Sequence, residues 1–393
     1  MKVCMIGYAT YFRDARIKSY VRILKKNDIN TDIIALKENR KDDSKDFMSG
    51  DIHYVLDKYQ GGNGLLYIWQ YFLFFIVTFL KVTILHAKHK YSIIHVHNMP
   101  NFIVFAAIIP KLFGAKLILD VHDLMTVNYM AKFGVNENHF LIKLLKAEQI
   151  ISSLFVDQII CADHIQKKKL VEYGIPEKKI TVIMNIACEE IFNGRKKSLK
   201  KNHADKFKIA YHGTIAERLG IDILLKTMAE IKSKKYPIYL YVYGDGDFLP
   251  QCLQLRKDLE LTEYVHFSEC FFPVEHLPEL LSDIDLGIVP NKKSVATDKF
   301  MMPVKLMEYV ALQIPVVAPR LEIIQHYFDE TMVNYFDAGD YKDLARRIID
   351  LYQNQEKRNM LVKNANTFNL KYNWREKERV YINIIHTLQA RSH

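Results

Sequence analysis

Short apolar runs alternate with helix-length amphipathic stretches along nearly the whole 393-residue chain. Short runs that are apolar throughout indicate strands buried on both faces, and the stretches between them indicate crossover helices. The pattern therefore predicts an α/β chain of doubly wound parallel sheets covered by helices. A chain of 393 residues is longer than one hydrophobic core usually serves, so we expect two domains.

A polar segment divides the predicted strands into two series. Between 185 and 207 the alternation lapses into a lysine-rich sequence without periodicity, which is typical of a linker. We predict a first domain at 1–185 that includes a C-terminal helix at 374–393, a linker at 186–206 and a second domain at 207–373. The predicted strands are Lys2–Ile6, Thr31–Leu36, Ile52–Leu56, Ser92–Val96, Lys116–Val121, Asp157–Cys161 and Lys179–Ile183, then Lys208–Tyr211, Ile238–Tyr243, Tyr264–Phe267, Ile284–Val289, Pro315–Ala318 and Met332–Tyr335.

Charge and cysteine content limit the partners that we expect. The net charge is +10, with lysine clusters at 167–169 and 195–201, which favours anionic surfaces. No basic stretch has interleaved aromatic residues, so a membrane surface is favoured over nucleic acid. The five cysteines are far apart and form no C-x-x-C, which predicts reduced thiols without zinc. The first ten residues resemble a strand and lack a signal-peptide pattern, so we expect a cytoplasmic protein.

The segment 65–85 is the most lipid-like part of the sequence. Its first sixteen residues contain only Gln70 and Thr78 as clearly polar residues, which is nearly enough to span a bilayer. However, predicted strands flank it on both sides, and a spanning helix would separate them across the membrane. The remaining interpretations are a crossover helix packed on the sheet, or a helix whose aromatic outer face enters the membrane interface.

Two segments of the second domain suit a nucleotide. In Tyr211–Asp222 a strand passes through Gly213 into a helix, where amide donors and the Arg218 guanidinium suit a pyrophosphate. In Lys299–Pro319 a helix carries Glu308, whose carboxylate can accept two hydrogen bonds from a ribose diol. An ordinary strand-to-helix turn with a solvated arginine is the alternative for the first segment.

A third segment, Val242–Phe248, places two glycines, Gly244 and Gly246, directly after a strand. Glycines there allow a tight turn close to a ligand. The interleaved Asp245 and Asp247 form an Asp-x-Asp pattern that suggests a metal, although we favour a turn beside a nucleotide.

The first domain places polar residues at the ends of adjacent predicted strands. His97 ends one strand, and His122 and Asp123 follow the next, so we expect them to lie together. We interpret Asp120 as structural.

In their order along the chain, these segments resemble the retaining glycosyltransferases of family 4. The resemblance covers nearly the whole sequence, includes Gly7 and the D-A-R-I of the first loop and helix, and implies the GT-B fold with an interdomain cleft. It implies transfer of a sugar from a nucleoside-diphosphate sugar to an acceptor hydroxyl, without a cofactor or a metal. The expected acceptor is a lipid-linked or cell-surface glycan precursor, with peripheral contact to an anionic membrane.

The resemblance also assigns residues. The catalytic group is His122, Asp123 and Arg218; the acceptor side has Gly7, Arg16 and His97; the donor side has Gly213, Arg218, Gly244, Gly246, Met301, Met302, Lys305 and Glu308.

The sequence departs from the family pattern at two positions. Leu219 stands where many members have a lysine, so Arg218 acts alone or with Lys305. Phe300 stands where the first of two family glutamates is expected, so Asp298 or the backbone near Met301 takes over the contact with the sugar. These departures leave a non-catalytic sugar-nucleotide-binding subunit as an alternative, and a sugar-nucleotide epimerase shares the architecture.

Overall fold

The computed structural model describes residues 1–37, 50–59, 61, 64–192 and 206–390, so most of the predicted linker lies outside the described residues. The chain divides into two compact units, one formed by Met1–Asn185 with Arg375–His393 and the other by Ile186–Trp374. Each unit has its own parallel sheet.

The sheet of the first unit has seven strands in the order β3-β2-β1-β4-β5-β6-β7, and all of its neighbouring strands are parallel. Every strand predicted from the apolar runs of this half is present. The strands are β1 Lys2–Gly7, β2 Asn30–Lys37, β3 Ile52–Asp57, β4 Ile93–His97, β5 Lys116–Val121, β6 Gln158–Cys161 and β7 Ile180–Val182.

Helices connect these strands and cover both faces of the sheet, as right-handed crossovers require. A 3-10 helix at Asn101–Ala107 directly precedes the helix at Ile108–Leu112. The helices are α1 Ala15–Lys26, α2 Gly64–His89, α3 Ile108–Leu112, α4 Met125–Phe133, α5 Phe140–Phe155 and α6 His164–Glu172, with α16 Trp374–Ala390 completing this unit near the C-terminus.

The sheet of the second unit has six parallel strands in the order β10-β9-β8-β11-β12-β13. Its strands are β8 Phe207–His212, β9 Ile238–Tyr243, β10 Val265–Phe267, β11 Leu286–Ile288, β12 Val316–Pro319 and β13 Asn334–Phe336. Its helices are α7 Glu189–Phe192, α8 Ile221–Ser233, α9 Leu249–Asp258, α10 Leu277–Leu280, α11 Val295–Lys299, α12 Val304–Ala311, α13 Glu322–Gln325, α14 Tyr341–Gln353 and α15 Gln355–Lys371.

The strand order reverses direction once in each sheet, between β1 and β4 in the first unit and between β8 and β11 in the second. In doubly wound folds the loops at the carboxyl ends of strands part at such a point and leave room for a ligand. Gly7 and His97 end β1 and β4, and Gly213 follows β8, so the topology directs attention to these two places.

Helix α2 contains the segment that the sequence singled out as lipid-like. By length and composition Leu66–His89 could cross a membrane. However, Phe74, Thr78 and Val82 on one side of the helix are fully buried within the unit. The strands before and after α2 also belong to the same parallel sheet. The spanning interpretation is therefore inconsistent with the fold.

Candidate functional site

In the second unit, the loops after β8 and β9 are joined backbone to backbone. The amide of Gly213 donates to the carbonyl of Tyr243 at 2.9 Å, and the amide of Ile215 donates to the carbonyl of Asp245 at 2.9 Å. A Cβ added to Gly244 would lie 1.9 Å from the carbonyl oxygen of Gly213. The sequence placed Gly244 close to a ligand, but glycine is required there because the two loops approach too closely for a side chain.

The second glycine of this turn has the same explanation. A Cβ on Gly246 would lie 2.1 Å from the carbonyl oxygen of Ile215. By contrast, a Cβ on Gly213 would meet nothing closer than Cε of Lys305 at 3.6 Å, and Gly213 has a φ of +108°. Glycine is required there by the backbone conformation, which leaves an open surface beside the lysine.

Tyr309 fixes helix α12 on the sheet. Its hydroxyl donates to the carbonyl of Ala210 at 2.8 Å, and its ring packs edge-on against His212. The ring also fills the space above Gly287, where an added Cβ would lie 2.5 Å from it. This anchor presents the residues on either side of Tyr309 to the end of β8.

Glu308 is one of those residues, and it is largely buried. Its Oε2 lies 2.7 Å from Nε2 of His212, so one carboxylate oxygen is held by an imidazole. Within the described chain Oε1 accepts no hydrogen bond, which leaves it available to a hydroxyl pair of a ligand. The sequence pattern indicates Glu308 but not His212, whose only signal is its position at the end of an apolar strand.

Lys305 lies one helical turn before Glu308 and is almost completely enclosed. Its ammonium group donates to the Tyr211 hydroxyl at 3.0 Å and lies 4.1 Å from the centre of that ring. Burial lowers the pKa of Lys305 to about 7, although the charge of Glu308 opposes the shift, and the charge of Arg218 adds to it. A lysine with a pKa this low is suited to bind an anion that restores its charge.

Two further sets of donor groups belong to the same unit as this lysine. Arg218 is exposed, and its guanidinium makes no hydrogen bond or ion pair with the residues that the structure describes. The amides of Met301 and Met302 likewise make no hydrogen bond within the described part of the chain. Unpaired amides before a helix are suited to oxygen ligands.

Phe300, which replaces a family glutamate, and Asp298, its suggested substitute, both have other contacts in the fold. Phe300 is buried, and Asp298 accepts a hydrogen bond from the Glu322 amide at 3.0 Å and pairs with Lys293 at 3.4 Å. Asp298 therefore caps the start of α13, and the structure gives no support to its taking over a contact with the sugar.

The Asp-x-Asp pattern does not gather a set of metal ligands. Asp245 accepts a hydrogen bond from the amide of Gly246. Among the described residues, sets of three potential ligands occur at two places, and neither includes Asp245 or Asp247.

In the first unit, Asp120 is the centre of a buried polar network. It is the second-last residue of β5 and pairs with His97 on β4, and both of its oxygens accept from Arg16, at 2.8 Å from Nε and 2.6 Å from Nη2. Nδ1 of His97 lies 3.2 Å from Oδ2, and Nε2 of His122 lies 3.1 Å from the same oxygen. The expectation that His97 and His122 lie together agrees with this geometry, since their rings approach to 3.1 Å.

The charge of Asp120 determines which nitrogens carry hydrogen. Burial alone would raise the pKa of Asp120, but Arg16 and the hydrogen bonds from His122 and His97 hold it well below its ordinary value. An ionised carboxylate only accepts hydrogen bonds, so in the neutral ring Nε2 of His122 carries the hydrogen. This leaves Nδ1 of the partly exposed His122 as the nitrogen available to a ligand.

Backbone contacts fix the loop that carries His122. Its amide donates to Oδ1 of Asn98 at 2.8 Å, and its carbonyl accepts from Gln166 at 3.0 Å. Asn98 also donates to the carbonyl of Asp123 at 2.7 Å. Asn98 and Gln166 could not be found from the sequence, because nothing in their immediate sequence indicates a contact with a loop elsewhere in the chain.

The two remaining acceptor-side candidates have internal contacts. Arg16 is buried, and Nη1 donates to the carbonyl of Ile183 and to Asn185 at 2.8 and 2.7 Å. It is therefore a partner of Asp120 and of the last residue before the second unit, and is not exposed to an acceptor. Gly7 makes room for α1, since an added Cβ would lie 2.9 Å from the side chain of Ile17.

We expect Asp120→Asn to lower the free energy of unfolding at pH 7 by roughly 3–5 kcal/mol, because Arg16 would be left buried without its charge partner. The folded pKa of Asp120 is depressed, so its contribution is complete above the unfolded value of about 3.9 and is lost as the pH falls through the folded value. Urea unfolding measured from pH 8 to pH 3 should give the same difference in free energy of unfolding between wild type and Asp120→Asn at neutral pH. This difference should narrow only at acidic pH. Asp123→Asn is the control, and equal stability of Asp120→Asn and wild type would refute the assignment.

Two family profiles match the chain, one in each half. The profile described as Glycosyltransferase Family 4 matches residues 16–186, and that described as Glycosyl transferases group 1 matches residues 194–368. Together with the two parallel-sheet domains, these matches show that the chain belongs to the GT-B glycosyltransferases of group 1.

Two curated relatives are similar over part of their length. Chitobiosyldiphosphodolichol beta-mannosyltransferase of Debaryomyces hansenii is 23% identical over 288 residues, which are 66% of this chain and 60% of the relative. Amylovoran biosynthesis glycosyltransferase AmsK of Erwinia amylovora is 24% identical over 188 residues, or 48% of this chain and 45% of that protein. The matched regions thus span about half of each relative.

Solved structures match over almost the whole chain. Sucrose-phosphate synthase from Thermosynechococcus elongatus has a TM-score of 0.78 at 16% identity and covers 99% of both chains. HepE from Anabaena, in complex with UDP and glucose, has a TM-score of 0.74 at 15% identity and covers 98% of this chain and 100% of its own. At these identities the likeness establishes the fold alone.

Proposed function

We propose that this glycosyltransferase moves a sugar, with retention at the anomeric carbon, from a nucleoside diphosphate to a hydroxyl of a lipid-linked or cell-surface glycan precursor. The observation that carries the proposal is the group at the end of β8, where a buried carboxylate with one free oxygen and a buried lysine of low pKa lie on one helix. A ribose and a diphosphate need these two kinds of group.

Each candidate residue has a role in this proposal. Glu308 accepts from the ribose hydroxyls, while Lys305 and Arg218 neutralise the diphosphate as it leaves. The free amides of Met301 and Met302 hold hydroxyls of the sugar in place of the glutamate that Phe300 replaces. His122 accepts a hydrogen bond from the transferred sugar through Nδ1.

Retention by attack from the face that the diphosphate leaves requires no nucleophile from the protein. The acceptor oxygen forms its bond to the anomeric carbon as the bond to the diphosphate breaks, and the leaving phosphate takes the acceptor proton. The protein stabilises the charge on the leaving group, and we propose that it does so without a metal or a cofactor.

The acceptor class rests on two observations. The relative from Debaryomyces is named for a lipid-linked acceptor, and the relative from Erwinia is named for the biosynthesis of amylovoran. A membrane-bound acceptor also suits a basic chain with an apolar helix. We therefore propose a cytoplasmic protein in peripheral contact with the membrane.

The test is a binding screen followed by product analysis. We expect one class among uridine, guanosine and adenosine diphosphate sugars to raise the melting temperature, and Arg218→Ala to abolish most of that rise. The anomeric configuration of the product is then determined by NMR from the anomeric coupling. This step is needed because the Debaryomyces relative is named for a beta product. An inverted product would refute retention, and the absence of binding by every donor would favour a non-catalytic role.

A further inference from the structure

Large apolar side chains are exposed far more often in the first unit than in the second. Of the 24 such residues exposed in the described chain, 19 lie in the first unit and five in the second. The two units are similar in length and fold, so the second serves as an internal reference. A concentration of this kind on one domain marks a surface that is covered in use.

Fifteen of the nineteen belong to three segments: α2, residues 101–113 and α5. On α2 the exposed residues include a stripe in steps of four, with exposed fractions between 39% and 66%. Residues four apart lie on adjacent turns, so these side chains form a continuous row, and at each turn they face away from the buried Phe74, Thr78 and Val82. The stripe consists of Ile68, Phe72, Ile76, Leu80 and Ile84, flanked by Leu66 and Trp69.

The three segments are neighbours in one helical layer. The ring of Phe75 on α2 lies 5.9 Å from that of Phe102, and the ring of Phe105 lies 4.9 Å from that of Phe155 on α5. Residues 101–113 therefore lie between the two long helices. The exposed residues outside α2 are Ile108, Leu112, Phe113, Phe140, Leu141, Leu144, Ile151 and Leu154, and together with the stripe and its flanking residues they form what we call the apolar face.

The charges on these segments are almost all positive. Neither α2 nor residues 101–113 contain an acidic residue, and α5 contains only Glu148. Glu148 is turned inward, since it accepts hydrogen bonds from Asn101 and Ser152. The basic residues of the three segments are Lys81, Lys88, Lys111, Lys143 and Lys146.

We propose that the apolar face docks on the surface of an anionic lipid bilayer, with the helices lying in the interface and the lysines contacting lipid phosphates. Apolar residues supply burial in such a surface, and cations supply the preference for anionic lipid. A water-soluble protein partner would not need the absence of acidic residues across three separate segments.

The proposal rests on the proposed function and adds where the acceptor side of the first unit would lie relative to the lipid surface. Tyr8, in the loop after β1, packs against Tyr71 and Phe74 of α2, with ring centres 4.6 and 5.3 Å away. This loop directly follows Gly7, on the side that the sequence assigned to the acceptor. Docking through α2 thus brings the acceptor side of the unit close to the lipid surface, where the headgroup of a lipid-linked acceptor would lie.

The experiment is co-sedimentation of the full chain with vesicles of phosphatidylcholine, with or without phosphatidylglycerol. We expect binding only to vesicles that contain phosphatidylglycerol, weakened by added salt. Ile68→Gln/Ile84→Gln and Leu112→Gln/Phe113→Gln should each reduce partitioning by roughly tenfold or more, because each removes two side chains from the lipid. The matched control is Met360→Gln/Leu370→Gln, which changes two residues of the second unit that are 49% and 73% exposed.

Other outcomes separate the alternatives. Equal binding by all three variants, or no binding to anionic vesicles, would overturn the docking face. A stable dimer without lipid that the first two variants dissociate would assign the face to a second copy of the chain instead. Binding of nucleotide sugars, measured without lipid on the same variants, tests the proposed function separately: a variant that binds donor but not vesicles fails only in docking.

Discussion

Glu308→Gln is expected to weaken binding of the nucleotide-sugar donor by about 10- to 100-fold, because a charge-assisted hydrogen bond contributes roughly 1.5–3 kcal/mol. The carboxylate is held by His212 at 2.7 Å, so its free oxygen has a fixed direction. The amide is isosteric and leaves the packing of α12 intact, so the loss comes from the hydrogen bonds with the ligand and from the Glu308 charge that supports the charged form of Lys305. Isothermal titration calorimetry of donor binding measures the effect.

Analogues of the donor that lack the ribose hydroxyls sharpen this test. If Glu308 binds the ribose, wild type should lose affinity for a 2′,3′-dideoxy donor, and Glu308→Gln should show little further loss. Glu322→Gln is the matched control, since this glutamate lies on a helix of the same unit and is mostly exposed. Equal donor affinity of Glu308→Gln and wild type would remove Glu308 from the site.

The second large effect is expected from Lys305→Met, with opposite signs for stability and binding. In the unfolded chain a lysine has a pKa of about 10.4, whereas burial lowers it to about 7 in the folded protein. A depressed lysine pKa costs stability as the pH falls below the unfolded value, and the cost is complete below the folded one. At pH 7 we therefore expect methionine to stabilise the fold by at most roughly 4–5 kcal/mol, since the pKa falls by about 3.4 and each pKa unit corresponds to about 1.4 kcal/mol.

Binding should change in the other direction. A diphosphate beside Lys305 raises its pKa again, so the complex takes up a proton when the donor binds above pH 7. We expect the affinity of wild type for donor to fall by up to roughly tenfold per pH unit between pH 7.5 and 9. Lys305→Met should lose this dependence together with most of its affinity.

Calorimetry of donor binding in buffers of different ionisation enthalpy measures directly how many protons the complex takes up. The matched control is Lys299→Met, because Lys299 is about half exposed and pairs with Glu322. It should change neither the stability nor the proton uptake. Proton uptake that persists in Lys305→Met would assign the titration to another group, and a destabilised Lys305→Met would contradict the cost of burial.

Both predictions depend on contacts that the sequence could not display. The pattern P-x-K-x-x-E-Y-x-A places Lys305, Glu308 and Tyr309 on one helix, and their spacing is visible without a structure. That the lysine is enclosed by Tyr211, and that the carboxylate is held by His212, depends on a strand almost a hundred residues earlier.

Some assignments by resemblance changed their physical meaning in the fold. Gly244 and Gly246 are required by the approach of the loop after β8, and Arg16 is the buried partner of Asp120. Asp120, which we interpreted as structural, fixes which nitrogen of His122 is available to a ligand. A motif identifies residue types that occur together, but it does not show what each side chain contacts.

The sequence by itself determined the α/β class, the thirteen strands found in the described residues and the family. Strands buried on both faces must be apolar along their whole length, so their number and order are visible in one dimension. Only the tertiary structure decided the polar networks and the side of α2 that remains exposed, since these depend on contacts between residues far apart in the chain. Burial is a property of the assembled layers, and the same apolar helix would serve in a core or at a lipid surface.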